Sequence, residues 1–178
     1  ATVGGNVARG YDLAPPLLAL GAYLILRSPR GERTLPLSEF YLGPAWNALQ
    51  PDELITDIVI PTPFYTQGLQ AVRRRKANDF AIAQAAVAVD VNGDGICRDI
   101  RVGIGFGFGV TFPVRATRAE AELRGRRLDP PAIERAAAVL AEESSPPDDG
   151  HASAWYRRRV VGVCFERALN EALGRPVI

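Results

Sequence analysis

The stretch that decides the fold is FAIAQAAVAVDVNGDGICRDIRVGIGFGFG, residues Phe80 to Gly109. Asn92-Gly93-Asp94-Gly95 at its centre is rich in residues that tolerate positive φ, and the runs on either side are apolar and β-prone. The stretch therefore predicts two strands, Phe80 to Val91 and Ile96 to Gly109, joined as a hairpin. Asp90 to Gly95 also imitates the start of a calcium loop, with oxygen ligands at alternate positions and a glycine at the sixth. The twelfth position of such a loop supplies a bidentate glutamate, and here it is Arg101 between strand-like flanks, so the turn reading wins. Gly103, Gly105, Gly107 and Gly109 alternate with Ile104, Phe106 and Phe108. A dinucleotide fingerprint places its third glycine one step later and opens a helix, but Thr111-Phe112-Pro113 follows here. Glycine at every second position leaves one strand face bare, which fits close approach by a helix or by a partner.

Downstream of the hairpin, three helices are expected. Thr117 to Arg124 ends at Gly125, Pro130-Pro131 opens Ala132 to Glu143, and Ser153 starts a run to Leu173 closed by Gly174 and Pro176. Trp155, Val160, Val163, Cys164, Ala168, Leu169 and Leu173 fall largely on one face of that last helix. Upstream, Leu69 to Lys76 reads as a further strand, and Pro61 to Gln67 as a linker. Residues 1–66 have a different character. Asp12 precedes a short helix with Pro15 and Pro16 in its first turn and Gly21 as its stop. Ala22 to Arg27 and Glu32 to Pro36 read as strands joined at Ser28 to Gly31, Ser38 to Gly43 as a brief turn or helix, and Asp57 to Ile60 as a strand. The whole reads as α+β, a sheet covered by helices, divided into 1–66 and 67–178.

Composition narrows the function. Of 178 residues, 21 are basic and 20 acidic, for a net charge of +1; no net field is available to gather nucleic acid. The longest apolar run, Leu13 to Leu26, is broken by Pro15, Pro16 and Gly21 and is too short for a membrane span. One histidine and two cysteines offer no paired ligands for zinc and no disulfide framework, and reduced thiols in the cytoplasm are expected. The chain has no methionine and starts abruptly at Ala1, which reads as a piece of something longer. Arg73 to Lys76 and Arg157 to Arg159 read as solvated basic faces, with interface or phosphate pairing as the alternative. His151 lies in a polar loop with no nucleophile motif beside it. In Thr2-Val3-Gly4-Gly5-Asn6, adjacent glycines suit either a plain turn or a cradle of N–H groups for an oxyanion such as a pyrophosphate.

Taken in order, these strings resemble a known family. Ala1 to Asn6, Asp12 to Ala22, Gly31 to Pro36, Phe40 to Pro44 and Leu49 to Ile55 are similar to the FAD-binding medium subunit of molybdenum hydroxylases, the relatives of carbon monoxide dehydrogenase and xanthine dehydrogenase. Arg74 to Ala81, Gly95 to Asp99, Pro113 to Ala116 and Ala152 to Arg157 are similar to the C-terminal domain of that subunit. The resemblance implies the second lobe of a vanillyl-alcohol-oxidase or PCMH-type FAD-binding domain over 1–66, followed by a small α+β domain over 67–178. It implies an oxidoreductase subunit that takes electrons from 2Fe–2S clusters through FAD to an outside acceptor. Thr2, Gly4, Gly5 and Asn6 would cradle the FAD pyrophosphate, Asp12 would hold ribityl or ribose hydroxyls, and Leu49 would lie near the adenine. The partners implied are a large molybdopterin subunit and a small 2Fe–2S subunit in a hetero-oligomer, with no side chain of this chain acting as acid or base. Two departures stand out. The family's N-terminal lobe, with its Ala-Gly-Gly-x-Ser motif, has no counterpart here, and only Val7 to Tyr11 separate Asn6 from Asp12. An assembly domain without FAD of its own is the alternative.

Overall fold

A computed structural model describes residues 2–61, 65–75, 79–107 and 112–177. The chain begins with two short helices, α1 (Val3–Ala8) and α2 (Ala14–Ala19), then β1 (Tyr23–Ser28), β2 (Gly31–Pro36), α3 (Leu37–Phe40), β3 (Tyr41–Gly43), β4 (Trp46–Asn47) and β5 (Leu54–Val59). It continues with β6 (Thr66–Val72), β7 (Ala83–Val91), β8 (Cys97–Gly105), β9 (Val114–Arg115), α4 (Thr117–Leu123), α5 (Pro130–Glu143) and α6 (Ala154–Ala172).

The first sheet is antiparallel in the order β2-β1-β5. Strand alternation turns Leu24 and Leu26 of β1 inward, where Val7, Leu18, Ala22, Leu37 and Phe40 bury them. Ile55 and Ile58 of β5 close that core. β5 is longer than the expected Asp57 to Ile60, because pairing with β1 starts at Leu54 opposite Arg27. The second sheet is antiparallel in the order β6-β7-β8-β9. Its central hairpin is the expected one. Asn92 Oδ1 accepts from Asp94 N (3.0 Å) and Ile96 N (2.9 Å), and Gly95 adopts φ +76. The strands are shorter than expected: Phe80 to Ile82 stand before β7, and Phe106 and Gly107 leave β8 after Gly105. Phe108, Gly109 and Thr111 lie outside the described residues, as do Ala1, Lys76 and the linker residues Thr62 to Phe64. The other end of that linker is already β6.

Both faces of the second sheet are covered, which is why β7 is buried from Ala83 through Val89. Ala83, Ala85, Val87 and Val89 face α4, α5 and α6, whereas Ala86 and Ala88 meet Ala19 of α2. The glycine row of β8 explains how α2 fits. A methyl on Gly103 would overlap the Pro15 carbonyl, and one on Gly105 would come within 2.7 Å of Pro15 Cγ. The bare face receives a helix of the same chain.

The last helix departs from its periodic reading. Trp155 is 69% exposed and Val163 is exposed, while Arg157, read as part of a solvated basic face, is fully buried. Arg157 shares a face with Val161, Cys164, Phe165 and Ala168, and its charge is met by Asp149 through two bonds of 3.0 and 2.9 Å, with Pro147 O accepting a third. Arg158 and Arg159 are exposed, as expected.

Candidate functional site

The Thr2 to Asn6 string forms neither a plain turn nor an open loop. Thr2 is extended (φ −91, ψ 158) and caps α1: its Oγ1 accepts from Gly5 N (3.1 Å), and its carbonyl accepts from Asn6 N (3.0 Å). Two glycines in six helical residues disfavour a helix by about 1 kcal/mol each relative to alanine. Tertiary anchors at the far end outweigh them. Tyr41 donates its hydroxyl to Val7 O (2.7 Å), Asn47 Nδ2 donates to Ala8 O (3.0 Å), and Val7 is fully buried. Burial pushes the Tyr41 hydroxyl well above the usual tyrosine range, so it stays protonated and donating.

Asn6 spends its side-chain carbonyl on Leu13 N (3.2 Å), which ties the glycine helix to the start of α2. Its NH2 group is the donor it can still offer. Asp12 was expected to open α2, but the helix is preceded by Leu13 with no side-chain cap. The Asp12 carboxylate is instead held from the second sheet, by Arg73 Nη2 (3.0 Å) and Ala81 N (3.3 Å), and its backbone carbonyl accepts from Gln84 Nε2 (2.7 Å).

Leu49 is half-buried against the first core, and its loop is pinned at several points. Leu49 N donates to Asn47 Oδ1 (3.0 Å), Arg33 Nη2 to Ala48 O (2.8 Å) and Gln50 N to Glu53 Oε2 (2.8 Å). The forked Arg33 bonds, with help from Gln50 N, pull the Glu53 carboxyl down to about 2. Asn47 thus bridges the Leu49 loop to the end of α1, and Asn6 bridges α1 to the Asp12 corner. The six residues singled out from the sequence are brought into one connected region.

Sequence reasoning missed the residues that make those connections: Tyr41, Asn47, Arg73 and Gln84. One signal was available, since Gln84 is the sole polar side chain between Phe80 and Val89. The two cysteines are free and buried, with thiols pushed up to about 11 by burial, and so are poor nucleophiles at neutral pH.

Comparison with known proteins gives this region a context. Residues 69–172 match the CO dehydrogenase flavoprotein C-terminal domain, and residues 1–63 match the FAD binding domain in molybdopterin dehydrogenase. The chain is 35% identical to the carbon monoxide dehydrogenase medium chain of Afipia carboxidovorans, over 98% of this chain and 61% of the relative. It is 32% identical to the glyceraldehyde dehydrogenase medium chain of Sulfolobus acidocaldarius, over 96% of this chain and 60% of the relative. A chain of the reconstituted CO dehydrogenase from Oligotropha carboxidovorans superposes with a TM-score of 0.88 at 33% identity, covering 99% of this chain and 62% of that one. The chain therefore spans about 61% of the length of such a relative.

Proposed function

Because the chain belongs to the CO dehydrogenase flavoprotein family of molybdopterin dehydrogenases, we propose that it is the greater part of an FAD-binding medium subunit in a heteromeric molybdenum hydroxylase. Residues 1–66 would be the second lobe of the FAD-binding domain and 67–178 the C-terminal domain. Large molybdopterin and small 2Fe–2S subunits would be its partners, in the cytoplasm. No helix among the described residues is long and apolar enough to cross a membrane. When bound, FAD would supply the redox chemistry between the 2Fe–2S clusters of a partner and an outside acceptor.

What this chain supplies is binding and orientation. Thr2, Gly4, Gly5 and Asn6 would hold the pyrophosphate, Asp12 the ribityl or ribose hydroxyls, and Leu49 the adenine side. The first turn of α1 carries no acidic residue that would repel an anion. Gly4 is the observation that carries the reading. A methyl there would make ordinary contacts of 3.6 to 3.9 Å with Ile55, so the packing of the chain does not require glycine. A glycine that its own fold does not need, on a helix it weakens, fits close approach by a ligand. Part of what favoured an assembly domain is spent internally: Gly103 and Gly105 on α2, Arg73 on Asp12 and Arg157 on Asp149, while Arg74, Arg158 and Arg159 stay exposed.

The test is a flavin titration of the chain co-expressed with the complementary N-terminal portion of a related medium chain. Wild type should copurify with flavin visible in its absorption spectrum. Gly4→Ala should keep or slightly raise its melting temperature, since alanine favours the helix, and weaken FAD binding by at least about tenfold. Unchanged affinity in Gly4→Ala would remove the pyrophosphate from α1.

A further inference from the structure

We propose that Arg73 and Gln84 are positioning residues for Asp12, so that the second sheet completes the FAD site and cofactor binding is coupled to the seating of the two sheets. This rests on the reading of Asp12 as a flavin-holding residue.

Among the described residues, the three bonds that fix Asp12 come from the second sheet or its connections, and they leave it little freedom. Arg73, directly after β6, takes Oδ2 at 3.0 Å; Ala81 N, before β7, takes Oδ1 at 3.3 Å; Gln84, inside β7, takes the backbone carbonyl at 2.7 Å. The carboxylate is oriented through both oxygens, and the backbone that carries it is anchored as well. Its side chain is still 26% exposed, so lone pairs remain for hydroxyls arriving from outside. Tyr11 and Phe80 pack their rings at 4.9 Å across the same corner, which braces the chain on either side of the Asp12–Ala81 bond.

Gln84 is the telling residue. It is 1% exposed in a strand of mostly alanines and valines, and its Oε1 has no hydrogen-bond partner among the described residues. A buried amide that satisfies only part of its capacity weakens a fold relative to an apolar side chain of the same size. Its amide nitrogen donates to the carbonyl of Asp12, two residues before α2, across the junction between the sheets. That is the placement expected of a side chain kept for where it holds Asp12. Arg73 supplies the complementary charge: it is a partly exposed guanidinium whose described acceptor is the Asp12 carboxylate. Because the anchors and the anchored residue lie on different sheets, coupling runs both ways. A ligand that binds the oriented carboxylate favours the docked arrangement, and loss of docking weakens the ligand.

The experiment measures FAD affinity by fluorescence titration, and melting temperature with and without FAD, on the same co-expressed protein. The variants are D12N, R73A, R73K, Q84M, the double variant D12N/R73A, and G4A. D12N and R73A should each weaken FAD binding by about tenfold, with the double variant no worse than the weaker single one, as for two members of one contact. R73K should recover most of the loss. Q84M should weaken FAD binding without lowering the melting temperature of the FAD-free protein. Wild-type affinity in R73A and Q84M, with D12N and G4A weakened, overturns the positioning role and leaves the site reading standing. Additive losses in the double variant, or no recovery in R73K, also overturn it. Wild-type affinity in D12N and G4A as well overturns the site reading, and this proposal with it.

Discussion

Replacing Gly103 by alanine tests the packing on which everything else here depends. Gly103 lies on β8 with its bare face against α2, and the added methyl would overlap the Pro15 carbonyl and come within 3.2 Å of Leu18 Cβ. No rotamer relieves an overlap between a Cβ and a backbone carbonyl; α2 has to retreat. Retreat loosens Ala19 from Ala86 and Ala88 and disturbs Leu18 in the first core. Overpacking of this kind costs about 1 to 3 kcal/mol, and with backbone atoms in conflict the upper end applies. At 2 to 4 °C per kcal/mol for a chain of this size, the melting temperature should fall by roughly 6 to 12 °C. The control is Gly93→Ala in the hairpin turn, where the methyl meets nothing within 4 Å and the change should stay within about 0.5 kcal/mol. Thermal unfolding followed by circular dichroism decides it. A Gly103→Ala protein that melts within about 1 °C of wild type would mean that the glycine row does not seat α2.

Two further outcomes follow from buried charge. Glu53 titrates at about 2 instead of near 4.5, so the stability it lends is complete above the higher value and is lost as pH falls between the two. Glu53→Gln should therefore flatten the acid limb of a denaturation profile in that window, and an unchanged limb would deny the Arg33 fork its role. Arg157→Ala leaves Asp149 without its forked partner and empties a fully buried site, at a loss of about 3 kcal/mol by urea unfolding. Arg157→Met, which keeps the volume and removes the unpartnered Nε, should lose clearly less.

How much the sequence disclosed depended on how local the cause was. The β7–β8 turn needed only Asn92 to Gly95, and α5 and α6 announced themselves through Pro130-Pro131 and Ser153; the side chains of Asp129 and Ser153 cap them at Ala132 N and Tyr156 N. Arg157 was misread because its neighbours Arg158 and Arg159 are solvated, and the acceptors that let it enter the core lie in the preceding loop. The helix at Val3 to Ala8 was illegible for the opposite reason. Its glycines argue for a turn, and the groups that hold its far end, Tyr41 and Asn47, stand 34 and 39 positions away. Asp12 looked like a helix opener because capping is a short-range pattern, whereas its actual donors are 61 to 72 residues downstream.

Those long separations converge on one element. Helix α2 belongs to both cores at once: Leu18 is buried with Leu24 and Leu26 of the first sheet, while Ala19 packs on Ala86 and Ala88 of the second. A six-residue helix is too short to be stable by itself, so its position is set by what it is wedged between. Asp12 stands two residues before that wedge, and Asn6 ties α1 to it through Leu13 N. A shift of α2 away from β8 therefore carries Asp12 away from Arg73 and Gln84 and drags the end of α1 along. Stability lost at Gly103 and affinity lost at Arg73 would then be two measurements of one displacement. The pair should be coupled, with FAD raising the melting temperature of Gly103→Ala by less than that of wild type.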